Sequence, residues 1–391
     1  MTARRWLLVT AVAVVAVVVA GGGAVGLVVS NFGSDSVMTD HGAAAPDSGV
    51  APGDGEVRSA EELGAEFLDS WVDDGRVVRR DQGDDTVSEG QAYGMLIAVG
   101  IGDERSFDKI WEWTRDNMVR DDGLLAWQWA DGAVVDDEPA SDADLDTARA
   151  LVLAGDAFGR PDLTADGDEL GTLILDRMTV RTAAGRILLP GEWAAASEPY
   201  AYNPSYASPA AFAELGASSG DPRWAELQTG SSTVSTTILA ASDLPPDWAQ
   251  VHADGTVEPM PGPAGGGDDV RYSYDAARFA LRYAESCEPS DVALAAQLAS
   301  TLSRESRLSA ALDLGGSALT SDQHPVAYGA RAAALAAGGN ATRARADLAA
   351  AITISDETPT YYGAAWVALS SLMLESDGLG ACPAISGGRA S

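Results

Sequence analysis

Ser88-Glu89-Gly90-Gln91-Ala92-Tyr93-Gly94-Met95 leads into the apolar run Leu96-Ile97-Ala98-Val99. The stretch reads as the start of an apolar helix, with Glu89 at its first or second position behind Ser88. A helix macrodipole alone favours a carboxylate there. The neighbours add to that: Gly90 and Gly94 flank Tyr93, a pattern that allows close approach of a ligand and supplies a stacking face. Two further acidic segments open helices downstream. Ala140-Ser141-Asp142-Ala143-Asp144 lies about fifty residues on, and Tyr272-Ser273-Tyr274-Asp275-Ala276-Ala277-Arg278 lies near the end of the chain.

Helical periodicity recurs outward from these segments. It predicts helices over 59–73, 88–101, 105–118, 142–158, 162–178, 205–217, 221–230, 233–241, 274–286, 290–304, 326–338, 341–351 and 360–375. The first begins with Ser59-Ala60-Glu61-Glu62, which has capping-box form, and Leu63, Phe67 and Trp71 then recur at helical spacing. Strand patterns are sparse, and only 185–189 and 251–257 suggest short hairpin segments. About a dozen helices without heptads predict an all-α toroid of helical hairpins, with the loops at one end building an open cleft.

Composition narrows the function. The 391 residues carry a formal charge of −33, and Lys109 is the only lysine. So acidic a chain repels phosphate backbones, which argues against nucleic acid as a partner. The scarcity of lysine argues against Schiff-base chemistry. The only histidines, His41, His252 and His324, lack metal-ligand spacing, and no nucleophile elbow accompanies them. No metal or organic cofactor is expected.

The beginning of the chain reads as an address. Arg4 and Arg5 precede Trp6 to Val29, an uncharged apolar run of 24 residues. As a helix it would rise roughly 36 Å, enough for the ~30 Å hydrocarbon core. Residues 1–30 are therefore expected to form a transmembrane signal anchor through residues 6–29, with the remainder extracytoplasmic. A cleaved signal peptide, giving a secreted protein, is the competing reading. Residues 31–57 read as a flexible linker, 58–385 as one folded domain, and 386–391 as a tail. Outside the cell Cys287 and Cys382 are expected to close a long disulfide loop, against the alternative of a free buried pair. Nothing points to an obligate partner, and a monomer is expected.

Three carboxylate-bearing helix starts suit glycosidic-bond hydrolysis. One acid protonates the leaving oxygen, one base activates water, and further acids hold sugar hydroxyls. Capping explains one acid before 142–158, but Asp142, Asp144 and Asp146 exceed that need, and Asp142 and Asp146 can share a helix face. Arg278, three residues after Asp275, is placed to orient it and keep it ionised. The alternative for that pair is a surface ion pair of little worth.

Together the S-E-G-Q-x-Y-G-M run and the A-S-D-A-D run, over a span from about Glu62 to Leu374, resemble glycoside hydrolase family 8. The resemblance implies an (α/α)6 barrel and an inverting, endo-acting enzyme on a β-1,4-linked polysaccharide, most simply a cellulose-type β-glucan. Glu89 then falls on the general acid and Asp275 on the general base of the cellulase-like subfamily. Asp142 falls on the acid that binds the distorted sugar, with Asp144 beside it sharing that task. Arg278 is the base's charged neighbour, and Trp127 matches the aromatic sugar platform. Asn203-Pro204-Ser205-Tyr206 matches a segment whose tyrosine lies near the reacting water. Tyr93 adds a stacking face. Thr147 and Ala280 depart from the family pattern, as packing changes. Inversion implies a separation of about 6.5–9.5 Å between acid and base. Competing readings are a chitosanase or other β-glycanase, a non-catalytic glycan-binding protein in exopolysaccharide export, and a polysaccharide lyase.

Overall fold

The computed structural model describes residues 58–263, 265–266, 269–379 and 382–385. The expected membrane segment, the linker and the tail from 386 onward lie outside the described residues. Among the described residues no helix is long and apolar enough to cross a membrane.

Thirteen helices are described: α1 (Ala60–Trp71), α2 (Ser88–Gly100), α3 (Glu104–Asn117), α4 (Ser141–Phe158), α5 (Pro161–Arg177), α6 (Pro209–Ser219), α7 (Arg223–Ala241), α8 (Tyr274–Ala284), α9 (Pro289–Gln297), α10 (Ala299–Leu302), α11 (Pro325–Ala337), α12 (Ala341–Glu357) and α13 (Tyr361–Glu375). Helices α2, α4, α6, α8, α11 and α13 each touch the next, and α13 returns to α2, so they close a ring. Each has an outer partner: α3, α5, α7, α9 and α12 in turn, and α1 against α13. This is an (α/α)6 barrel.

The sequence sorts helices between the two rings. In α2 everything from Gly90 to Val99 is buried, and in α11 everything from Pro325 to Ala336. A helix buried on all sides has no polar face to give to water. Outer α3 buries only Phe107, Ile110, Trp111 and Thr114, one stripe at helical spacing. Small residues bring the rings close: a Cβ on Gly155 of α4 would stand 2.0 Å from Thr164 Oγ1 of α5. The capping box at Ser59 forms as read, with the Glu62 amide donating to Ser59 Oγ and the Ser59 amide to Glu62 Oε2. Thr147 and Ala280, the two departures from the family pattern, are both fully buried in helix contacts.

Several boundaries differ from expectation. The segments 221–230 and 233–241 form one continuous helix, α7. The hydroxyls of Thr229, Thr233, Thr236 and Thr237 each donate to the carbonyl four residues back, so the polar run stays inside the helix. The segment 290–304 breaks at Leu298 into α9 and α10. The helix expected from 205 starts at Pro209, where Ser208 caps it, and Asn203 and Ser205 form a turn before it. At the ring mouth, a three-stranded antiparallel sheet missed by the sequence reading joins Thr86–Val87, Gln128–Ala130 and Ala133–Asp136. Gly185–Leu188 pairs with Thr179–Thr182. The 251–257 segment is mainly the turn between Trp248–Val251 and Val257–Met260, and Tyr200–Tyr202 completes that sheet.

Cys287 and Cys382 form a disulfide across 95 residues of sequence, with Cα atoms 5.3 Å apart. It ties the segment after α8 to the chain that follows α13. A loop of that length constrains the unfolded chain strongly, so Cys287→Ser with Cys382→Ser is expected to cost roughly 2–4 kcal/mol. Calorimetry of the native protein with and without reductant reads the same loss. An unchanged midpoint on verified reduction would contradict it.

Candidate active site

Glu89, Asp142 and Asp275 are each the second residue of an inner-ring helix, α2, α4 and α8. The ring brings these helix starts together at one end, where the macrodipole favours anions. The N-cap of α4 is neither Ser141 nor Asp142. That position falls on Ala140, which makes no side-chain cap bond, so Asp142 and Asp144 lie inside the first turn.

The three carboxylates meet on one guanidinium. Arg278 Nη1 donates to Glu89 Oε1 (2.6 Å) and to Asp142 Oδ2 (2.9 Å), and Nη2 donates to Asp275 Oδ1 (2.7 Å). The side chain of Arg278 is 1% exposed, that of Asp275 17% and that of Glu89 26%. The cation is therefore the floor, and Glu89 and Asp275 open to solvent above it. The pair is no surface ion pair. The Tyr206 ring lies beside the guanidinium, 5.2 Å from Cζ to ring centroid, and meets Trp248 edge-on at 6.0 Å. Asn203 Oδ1 accepts from the Ser205 amide and hydroxyl, which fixes the turn carrying Tyr206.

Burial decides the protonation behaviour. It pushes the Asp275 carboxyl up to about 7, against the opposing pull of Arg278 and with the push of nearby carboxylates. The same balance pushes Asp142 up to about 6. The expectation that Arg278 keeps Asp275 ionised is thus only half met, because desolvation outweighs the cation.

Trp127 is half-buried just before the strand Gln128–Ala130, and its carbonyl accepts from the Ser88 amide (2.9 Å). That bond sets Trp127 next to the Glu89 turn. Asp144 is not in the cluster. It is fully buried, its Oδ1 accepts from the Leu125 amide (3.0 Å), and burial holds its carboxyl well above the usual range. A wholly buried side chain cannot share the sugar-binding task expected of it, and Asp144 instead anchors the loop before Trp127. Tyr93 also departs from expectation. It is fully buried, with Trp366 edge-on at 5.3 Å, and offers no face to a ligand. Its hydroxyl donates to Glu89 Oε1 (2.6 Å) and accepts from Arg278 Nη1 (3.1 Å). Gly90 and Gly94 make room for protein rather than ligand: a Cβ on Gly90 would stand 2.9 Å from the Tyr361 hydroxyl. Gln91 locks the start of α2, accepting from the Val77 amide (2.6 Å) and donating to Thr114 Oγ1 (2.7 Å).

Asp142 and Asp146 do share a face, and it meets a matching face of α8. Four residues beyond the Arg278–Asp142 pair, Arg282 donates to both oxygens of Asp146. Farther along α4, the buried Arg149 donates to Glu285 Oε1 (2.9 Å) and Glu214 Oε2 (2.7 Å). Residues that the sequence reading passed over complete the surroundings. Tyr362 donates to the Tyr274 carbonyl (3.1 Å), and His324 packs edge-on against Tyr274 at 4.9 Å. His324 also caps α11, accepting from the Val326 amide, and burial pushes it down to about 4, so it is neutral. Asp247 reaches the start of α8 from another segment, without any local motif to mark it.

The sequence pattern of Glycosyl hydrolases family 8 matches residues 66–374. The chain belongs to this family. It is 34% identical over 216 residues to a protein described as a probable endoglucanase from Novacetimonas hansenii, covering 54% of this chain and 62% of that one. Identity to an endoglucanase from Cellulomonas uda is 31% over 194 residues, covering 48% and 54%. The match thus spans less than two thirds of each relative. Among solved structures, an endo-β-1,4-glucanase from Acetobacter xylinum superposes with a TM-score of 0.67 at 26% identity, over 81% of this chain and 97% of that one. A β-1,3-1,4-glucanase from Paenibacillus sp. X4 superposes with a TM-score of 0.71 at 20% identity, over 80% and 89%, a likeness of fold.

The raised proton affinity of Asp275 sets a stability signature. A carboxyl at 3.8 when unfolded and about 7 when folded stabilises fully below the unfolded value. That contribution is lost as pH rises through the folded value. Asp275→Asn removes the cost, so its thermal midpoint is expected to match the native protein near pH 4 and to exceed it at pH 8. Equal midpoints at both pH values would show that Asp275 carries no such shift.

Proposed function

We propose that the protein is an endo-acting, inverting glycoside hydrolase that cleaves a β-1,4-linked polysaccharide of the cellulose type. One observation carries the reading: Glu89, Asp142 and Asp275 converge on Arg278 at the mouth of the ring, with Tyr206 beside them and Trp127 bonded to the start of α2. A purely binding protein has no use for a matched acid and base. The description of two family relatives as endoglucanases supports the substrate class.

Protonated Glu89 donates to the glycosidic oxygen as the bond from the anomeric carbon to that oxygen breaks. Asp275 takes a proton from a water that attacks the same carbon from the opposite face, which inverts its configuration. Asp142 accepts from a hydroxyl of the distorted sugar. Trp127 offers an indole face to the apolar face of a neighbouring sugar. Arg278 and Tyr93 hold the three carboxylates in register. After turnover Glu89 regains its proton and Asp275 loses one to solvent. The Cys287–Cys382 disulfide supports an oxidising, extracytoplasmic setting for this chemistry.

The test is reducing-end release from carboxymethylcellulose, mixed-linkage β-glucan, xylan and chitosan. Release from cellulose-type glucan is expected, with Glu89→Gln lowering kcat by about 10³-fold or more while glycan binding persists. Wild-type turnover in that variant would remove Glu89 from the acid role. Preference for chitosan or xylan would move the substrate class. Binding with no release from any polymer would favour the glycan-binding reading. Proton NMR of the first product formed is expected to show the α-anomer, and a β-anomer would exclude inversion.

A further inference from the structure

Asp247 follows Pro245 and Pro246 and leads into the strand Trp248–Val251. Its own amide donates to the Arg271 carbonyl (2.8 Å), which fixes the backbone beside α8. The carboxylate reaches into the first turn of that helix. Oδ1 accepts from the amides of Ser273 (2.7 Å) and Ala276 (2.9 Å), and Oδ2 accepts from the Ser273 hydroxyl. Ser273 occupies the N-cap position yet makes no side-chain cap bond of its own. The free amides of a helix start need an acceptor. Here the acceptor comes from a residue 26 positions earlier. The two amides bracket Asp275, one two residues before it and one directly after.

We propose, on the strength of the hydrolytic reading above, that Asp247 is a positioning residue of the reaction: it clamps the turn that carries Asp275, and its charge makes Asp275 basic enough to take a proton from water. The groups facing Asp275 set the balance. Arg278 on its own helix favours the anion, and Glu89 from α2, Asp142 from α4 and Asp247 oppose it. Tyr206 and Tyr362 face the same space as neutral phenols, both held well above their usual range by burial. Asp247 is itself faced by Arg271, whose Nε lies 3.8 Å from Oδ2, and by Tyr272. When two buried carboxylates interact, the one better supplied with donors keeps the charge. Burial raises Asp247 as well, but its three donors from the helix start and the nearby Arg271 oppose that push, so the proton settles on Asp275. A base poised near neutrality is the effective one.

Asp247→Asn tests the charge. The amide oxygen still accepts from Ser273 and Ala276, and the amide nitrogen can donate to the Ser273 hydroxyl. The acid limb of the pH profile of kcat/KM is expected to move down by about one pH unit. Asp247→Glu keeps the charge and misplaces the turn, so its limb stays with the wild type while kcat falls. A limb that stays put in Asp247→Asn would overturn the proposal, as would an equal shift in both variants. A drop in thermal midpoint without a moved limb would make Asp247 a structural cap and nothing more. The same titration can be read without substrate, as the pH at which the gain in midpoint from Asp275→Asn levels off, measured in the native and D247N backgrounds. That pH is expected to fall in D247N, and identical pH values would overturn the proposal. If the wild type hydrolysed no glycan, the functional reading would fail while this thermal comparison still decided the role of Asp247.

Discussion

The guanidinium of Arg278 is the interaction on which the rest of the site depends. It is buried, it is shared by carboxylates from three inner helices, and it stands over the Tyr206 ring. A buried cation is tolerable only when its donors are met, and buried carboxylates only when a cation or donors meet them. Each partner thus justifies the burial of the other. The geometry needs a planar fork: one nitrogen serves Glu89 and Asp142, and the other serves Asp275. A lysine ammonium, a single point of charge, cannot span that arrangement. The Arg282–Asp146 pair repeats the contact four residues along both helices, and Arg149 with Glu285 and Glu214 extends it. An equal step on α4 and α8 fixes their register across the ring. With that register set, the second residues of α2, α4 and α8 meet at one end.

The same charges that make the site reactive weaken the fold at neutral pH. Two carboxylates are held above their ordinary range by burial, with one central cation to answer them. Hydrophobic packing of the inner helices supplies the stability that offsets this strain. Such a centre is expected where function, rather than folding, selects the residues.

The helices and the three acids were legible because both are local. Apolar spacing marks a helix, and an acid placed just inside its start marks that start. The charge on Arg278 was legible for the same reason, three residues from Asp275. What stayed hidden is set by distance in the chain. Asp247 acts on a turn far downstream, and Gln91 ties the Val77 amide and Thr114 of α3 to the start of α2 through atoms no periodicity reveals. Tyr93 was readable as an aromatic beside Glu89, but its hydroxyl's role depends on Trp366 occupying the space around its ring. Asp144 was indistinguishable from Asp142 by composition, and only the path of the 118–126 loop separates an anchor from a site residue. In α7 the run of Ser and Thr looked like an interruption because the bonds that absorb it are made within the helix itself.

The meeting of α1 and α13 has a consequence for assembly. The ring closes between elements far apart in sequence, since α13 touches both α1 and α2. Until α13 docks, α2 and α11 each present an apolar flank to water. A helix apolar on all sides gains little alone and everything from its neighbours. Contacts of this span form late, and an unclosed ring is exposed to association with other chains meanwhile. The cleft therefore comes into being with the final helix. A chain interrupted before α13 still carries Arg278 and its three acids, but the ring that gathers them stays open between α11 and α2.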